Sequence, residues 1–156
     1  MQNLGKDYWK VCQKPPYSPS EEDVEYFRHM LKTGTTLLLG CTHALIPIST
    51  HQMDIDPWYD GPNIIVGDWR DNTKFYDNMI GDGVFNFTKE LADSVLEMAS
   101  RHSRTLVVRS FRERMPRMLV ADYFPEHGDF SIKPSFIMGK AHYNFFAWEF
   151  DNESSR

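Results

Sequence analysis

The stretch Thr35-Thr36-Leu37-Leu38-Leu39-Gly40-Cys41-Thr42 decides the fold class. Its β-branched and apolar residues show no polar alternation, which predicts a strand covered on both faces, and such strands belong to parallel sheets with helices on either side. Just upstream, Ser18-Pro19-Ser20-Glu21 predicts a helix start, with Ser18 as N-cap, Pro19 at the first helical position and Glu21 completing the capping box. Val24, Phe27, Met30 and Leu31 then share one apolar face, and Gly34 is the stop signal.

Downstream, strand-like and helix-like blocks keep alternating. A second strand ends near Asp54, and His43 to Ile48 leaves room for only one or two turns between it and the first, because Pro47 interrupts. Asn63 to Val66 reads as a third strand and Tyr76 to Ile80 as a fourth. Asn86 or Thr88 caps a helix carrying Leu91, Val95 and Met98 on one face, and Thr105 to Val108 is a fifth strand. From Phe130 to Phe150, aromatic and polar residues alternate around Gly139, which predicts two antiparallel strands closing one edge. The fold class is therefore α/β: a mostly parallel sheet of about seven strands, antiparallel at its C-terminal end, with a shortened first crossover.

Composition fits one domain spanning 1–156, with 1–17 an N-terminal arm or lid and 151–156 a disordered tail. The chain is 41% apolar, 25% charged and 14% aromatic, and its net charge is −5. That balance argues against nucleic acid as a partner, although six arginines between Arg101 and Arg117 form a local basic block. Thr33 to Gln52 is uncharged but contains Gly34, Gly40, Pro47 and two histidines, so neither a membrane span nor a signal peptide is expected and the location expected is the cytoplasm. Cys12 and Cys41 form no CxxC pair, and the six histidines lack ligand spacing, so no metal is expected.

Four successive strands end in a glycine, a carboxylate or both: Gly40, Asp54, Gly67-Asp68 and Gly81-Asp82-Gly83. In an open parallel sheet those ends share one edge, where ligands bind. Gly40 admits a ligand close to the backbone, and Asp54 can accept hydrogen bonds from both hydroxyls of a ribose. Asp68 can accept from an exocyclic amine, while Trp69 offers an apolar face to a base. Together these types describe an adenosine pocket.

Here the sequence resembles the class I S-adenosylmethionine-dependent methyltransferases. Leu37-Leu38-Leu39-Gly40-Cys41-Thr42 is similar to the family's glycine-bearing first motif, and Met53-Asp54-Ile55-Asp56-Pro57 to its second-strand acid. Val66-Gly67-Asp68-Trp69 matches the adenine motif, and Ile80-Gly81-Asp82-Gly83 with Asn86 the fourth-strand motif. The resemblance implies a Rossmann-like sheet, S-adenosylmethionine as cofactor and methyl transfer to a small-molecule acceptor. It places Gly40, Cys41 and Thr42 beside the methionine part, Asp54 and Ile55 at the ribose, Asp68 and Trp69 at adenine, and Gly81 and Asp82 near the sulfonium. Asp82 is then the first candidate for a catalytic base, with His43 and His142 behind it. Tyr17 from an aromatic arm, Arg109 at the end of the fifth strand and His142 are candidates for holding the acceptor. Cys41 reads as a small residue chosen for space.

Two departures from the family stand out: Gly40-Cys41-Thr42-His43-Ala44 replaces a GxGxG-type loop, and little chain is left over for an acceptor-binding lid. The acceptor is consequently small or held with help from a second subunit, and the aromatic C-terminal hairpin makes a homodimer the expected assembly if one forms. Two rival chemistries keep the cofactor site: cleavage of S-adenosylmethionine itself, and binding without catalysis, alone or supporting a partner enzyme. A nicotinamide dehydrogenase fits less well, because Asp54 follows Gly40 by 14 positions where about 20 are expected.

Overall fold

The computed structural model describes residues 18–85, 89–111, 130–140 and 142–152. Its centre is a seven-stranded sheet built from β1 (Thr36–Leu39), β2 (His51–Asp54), β3 (Ile64–Val66), β4 (Tyr76–Asp82), β5 (Ser103–Phe111), β6 (Phe136–Gly139) and β7 (Tyr143–Glu149). The strands lie in the order β3-β2-β1-β4-β5-β7-β6. The first five are mutually parallel, and β7 enters antiparallel between β5 and β6. The order reverses direction at β1, between β2 and β4, which is the switch point where an open sheet of this kind leaves a crevice.

Both faces of the central strands are buried, as the run of leucines in β1 requires. Leu37, Leu39, Met79, Leu106, Val108, Phe146 and Trp148 project to one side and pack under α2 (Lys89–His102). Leu38, Ile80, Val107, Phe145 and Ala147 project to the other side and meet Phe27 of α1 (Glu21–Met30) and Leu45. The alternation of neighbouring residues between the two clusters is the period-2 geometry of a strand.

The first crossover is a six-residue 3-10 helix, His43–Ile48, with Pro47 inside it, as the sequence leads one to expect. The cap of α1 differs from expectation. Ser20 is the N-cap, its Oγ accepting from the Asp23 amide (3.2 Å) while the Asp23 carboxylate accepts from the Ser20 amide (3.0 Å). Asp23 thus replaces Glu21 as the reciprocal partner, and Pro19 precedes the helix. The proposed caps of α2, Asn86 and Thr88, lie outside the described residues. At the start of the tail the Asn152 side-chain amide donates to the carbonyls of Ser100 (2.6 Å) and Ser103 (2.7 Å), and residues 153–156 lie outside the described residues. No helix among the described residues is long and apolar enough to cross a membrane.

Candidate functional site at the carboxyl edge of the sheet

The register brings the four strand ends together. Leu39 pairs with Met53 on one side and Gly81 on the other, Asp54 pairs with Val66, and Asp82 pairs with Arg109. Because β7 runs antiparallel, its first residue, Tyr143, pairs with Phe111 on this same edge, and the exposed His142 stands beside it.

Gly40 is the centre of the site. Its φ of +113° is one that other residues adopt only under strain, and its backbone faces two side chains. A Cβ there would stand 3.8 Å from Cζ2 of Trp69 and 4.0 Å from Oδ2 of Asp54. The Asp54 carboxylate accepts from the Asp56 amide through Oδ1 (2.9 Å) and lies near the Cys41 thiol. Burial raises its pKa above the ordinary carboxyl value. Cys41 is buried, and its own thiol is pushed up to about 12 by burial and by the Asp54 charge, so it is inert at neutral pH, in keeping with a space-filling role. Trp69 is anchored by its Nε1, which donates to the Met53 carbonyl (2.6 Å) and turns the ring toward Gly40. Ile55 stands at the lip, 66% exposed. Thr42 is buried, its carbonyl accepting from the amides of Leu45 (3.0 Å) and Ile46 (3.3 Å).

Three residues expected at the ligand have partners within the protein. Asp68 was expected to meet an exocyclic amine, but its carboxylate caps the Trp69–Asp71 turn and is gripped by Arg70 at 3.0 and 2.6 Å, which holds its pKa below the usual range. Arg109 was expected to face an acceptor, but it has no exposed surface at all. Its guanidinium donates twice to Asp82 (2.5 and 3.0 Å) and once to Asp23 of α1 (3.2 Å), and it lies 4.9 Å from the Phe111 ring and 4.5 Å from the Tyr143 ring. Asp82 therefore is not a freely available base. Burial raises its pKa while the bidentate arginine opposes that rise, and both carboxylate oxygens are occupied. Tyr143 completes the cluster by donating to Asp23. Gly81 is needed for packing as well, since a Cβ there would come within 2.3 Å of Val84 Cγ2. Tyr17 lies outside the described residues.

Two groups of site residues escape the sequence reading. Asp23 and Tyr143 join Arg109 from positions 86 and 34 residues away, and only the S-x-x-D spacing from Ser20 hints that Asp23 has a local task. Trp58, from the β2–β3 connection, reaches back to the first strand: its Nε1 donates to the Cys41 carbonyl (2.7 Å) and its ring stacks on His43 at 4.0 Å. Nothing in the local pattern of Pro57-Trp58-Tyr59 announces that reach. Among the described residues, no group of three His, Cys, Asp or Glu is arranged to hold a metal ion.

No family model and no curated protein matches the chain. Solved structures do. TehB from Haemophilus influenzae is 11% identical with a TM-score of 0.58, over 96% of this chain and 68% of that one. Magnesium protoporphyrin IX methyltransferase from Synechocystis PCC 6803, solved with bound S-adenosylmethionine, is 14% identical with a TM-score of 0.56, over 84% and 77%. A protein from Rhodobacter sphaeroides described as a Zn-dependent alcohol dehydrogenase is 16% identical with a TM-score of 0.56, over 72% of this chain but only 54% of its own length. Identities this low speak for architecture alone. With its strand order and its antiparallel β7 between β5 and β6, the chain has the Rossmann-like fold of the class I S-adenosylmethionine-dependent methyltransferases.

Proposed function

We propose that the protein binds S-adenosylmethionine at the carboxyl edge of its sheet and transfers the methyl group to a small-molecule acceptor. The observation that carries this reading is the convergence at Gly40, where a half-buried carboxylate and an indole ring flank a backbone position with no side chain. That combination fits a nucleoside. Asp54 Oδ2 faces the cradle as an acceptor for ribose hydroxyls, and the Trp69 ring and the exposed Ile55 side chain supply apolar surface for the base. Asp68 is paired with Arg70 in a partly exposed ion pair, and a base amine on this edge would share its carboxylate with that arginine.

When bound, the cofactor supplies a methyl group on a cationic sulfur, already activated for displacement, so the protein's contribution is chiefly alignment. The buried Asp82 and Arg109 pair makes the floor of the edge rigid and holds α1 against β4 and β5. A proton lost by a hydroxyl or amine acceptor passes to an exposed group on the same edge, for which His142 beside the start of β7 is a candidate. A methyltransferase named for protoporphyrin, a small molecule, is among the structures that share this architecture.

Incubation of the purified protein with S-adenosylmethionine, with and without a panel of small acceptors, tests this by mass spectrometry of the products. S-adenosylhomocysteine appearing only with an acceptor, together with a methylated product, is the expected result. Methylthioadenosine released without acceptor would replace methyl transfer by cofactor cleavage, and binding without turnover would leave a non-catalytic binding protein.

A further inference from the structure

β6 is the last strand on its side of the sheet, and its outer edge has no strand beside it among the described residues. An exposed, apolar strand edge is a template for another chain, and proteins blunt or cover such edges. Here the centre of the edge is apolar. Phe136 is 42% exposed and Ile137 47%, while the other exposed large apolar side chains among the described residues, Ile55 and Val66, stand at the ligand ends of β2 and β3. Phe136 and Met138 turn toward α1, Phe136 meeting Tyr26 at 6.2 Å and Met138 packing with the cluster around Phe27 and Phe145, so Ile137 points to the opposite face. The ladder with β7 fixes which backbone groups look outward. The Lys140 amide donates to the Tyr143 carbonyl at 2.8 Å, and alternate residues of an antiparallel ladder, here Lys140, Met138 and Phe136, bond to the same neighbour. That leaves the N–H and C=O of Ile137 on the open side.

Such a strand is its own complement. A second copy, turned about a two-fold axis perpendicular to the sheet and passing beside Ile137, pairs with it antiparallel. Ile137 then exchanges both backbone bonds with its counterpart, and each Phe136 lies across from the Met138 of the other copy, a ring and sulfur contact. Charge follows the same symmetry. Glu149 stands beside the start of β6, its amide donating to Ser135 Oγ at 3.1 Å, while Lys140 follows the end of the strand. Both side chains lie on the α1 face, where Glu149 meets Lys32 at 3.1 Å and Lys140 meets Glu22 at 3.2 Å in solvent-exposed ion pairs. Antiparallel pairing carries each Lys140 to the start of the other β6, about two strand spacings or 10 Å from the other Glu149 and within the joint reach of the two side chains. Opposite signs thus meet at both ends of the ladder, and apolar side chains meet at its centre. We propose that β6 is the interface of a homodimer, in which two copies join edge to edge into one continuous sheet and cover Phe136 and Ile137. The parallel strands of the two copies then run in opposite directions, so the carboxyl edges point apart and neither copy lends residues to the site of the other. The proposal stands independently of the nucleoside reading.

Sedimentation velocity over a range of protein concentrations tests this, with circular dichroism reporting the fold. The wild-type protein is expected to pass from monomer to dimer as its concentration rises. Ile137→Lys sets two ammonium groups against each other at the axis and is expected to weaken the dimer about tenfold or more while keeping the wild-type spectrum. Lys140→Glu and Glu149→Lys are each expected to weaken it less, and the double variant to recover it, because the exchange restores opposite signs between copies although it breaks both ion pairs within each copy. A wild-type protein that stays monomeric throughout overturns the proposal and leaves the edge to a different protein or to solvent. An equally strong dimer in Ile137→Lys places the interface elsewhere and overturns it too, as does a double variant no stronger than either single one. Should Ile137→Lys fail to fold, hydrogen exchange of the wild-type protein decides: the Ile137 amide must be protected at high concentration and exchange faster on dilution, and an unchanged rate refutes the interface. Affinity for S-adenosylhomocysteine is expected to be the same in Ile137→Lys as in the wild type, so a protein that dimerises through β6 and binds no nucleoside supports the interface and strikes the ligand reading alone.

Discussion

At the residue scale the site is governed by where carboxylates meet partners. Asp82 and Asp23 share the Arg109 guanidinium in a fully buried cluster, so Arg109→Met leaves two acids without their cation. The expected cost is about 3–5 kcal/mol of folding stability, read by denaturant titration. Asp54 behaves differently, because burial has lifted its pKa with no cation close by to offset it. A carboxyl group raised in the folded state favours folding below its unfolded value of 3.8 and loses that contribution as pH climbs through the folded value. Asp54→Asn should therefore raise the Tm of the ligand-free protein at neutral pH, and the gain should vanish as the medium is acidified below that value, as followed by scanning calorimetry. Both arguments concern charges whose types were legible from the sequence but whose neighbours were not. Asp82 and Arg109 were readable as strand-end residues on one edge; that they face each other, with Asp23 behind, follows from a register that no local pattern encodes.

At the scale of elements, turns set the geometry. Gly34 connects α1 to β1 with a φ of +131°, and a Cβ there would collide with Asp77 Oδ2 at 1.9 Å. That oxygen accepts from the Thr35 amide at 2.9 Å, so the glycine and the aspartate together set the entry of the central strand. Gly34→Ala should cost about 1–3 kcal/mol, measured by chemical denaturation, and a cost below that range would mean the turn relaxes freely. The strands themselves were the readable part of the chain, since a buried leucine run and three β-branched or apolar runs carry their own signal. Short connections were less readable. The cap of α1 slid two residues because Ser18 and Ser20 offer the same hydroxyl and only the tertiary position of Asp23 chooses between them.

For the whole molecule, β7 is the element on which both cores depend. Phe146 and Trp148 face one cluster and Phe145 and Ala147 the other, and Trp148 packs edge-on against Phe85 and Phe130 while donating to the Ile132 carbonyl at 2.9 Å. Trp148→Ala should remove about 3–5 kcal/mol in a single cooperative transition seen alike by fluorescence and circular dichroism. The class of fold and the meeting of the strand ends on one edge were both visible in the sequence, since strand-end glycines and acids can only converge if the strands are parallel. What the sequence withheld is how those ends are occupied: Asp68 by Arg70, Asp82 by Arg109 and the Cys41 carbonyl by Trp58. The convergence of Asp54 and Trp69 on Gly40 is the feature from which the functional reading follows. It is tested most directly by titrating S-adenosylhomocysteine into the wild-type protein and into Asp54→Ala, with circular dichroism confirming that both are folded. The account predicts saturable binding by the wild type and a loss of about 1–3 kcal/mol in the variant, from the missing charged hydrogen bonds; no binding by the wild type, or equal affinity in the two proteins, would contradict it.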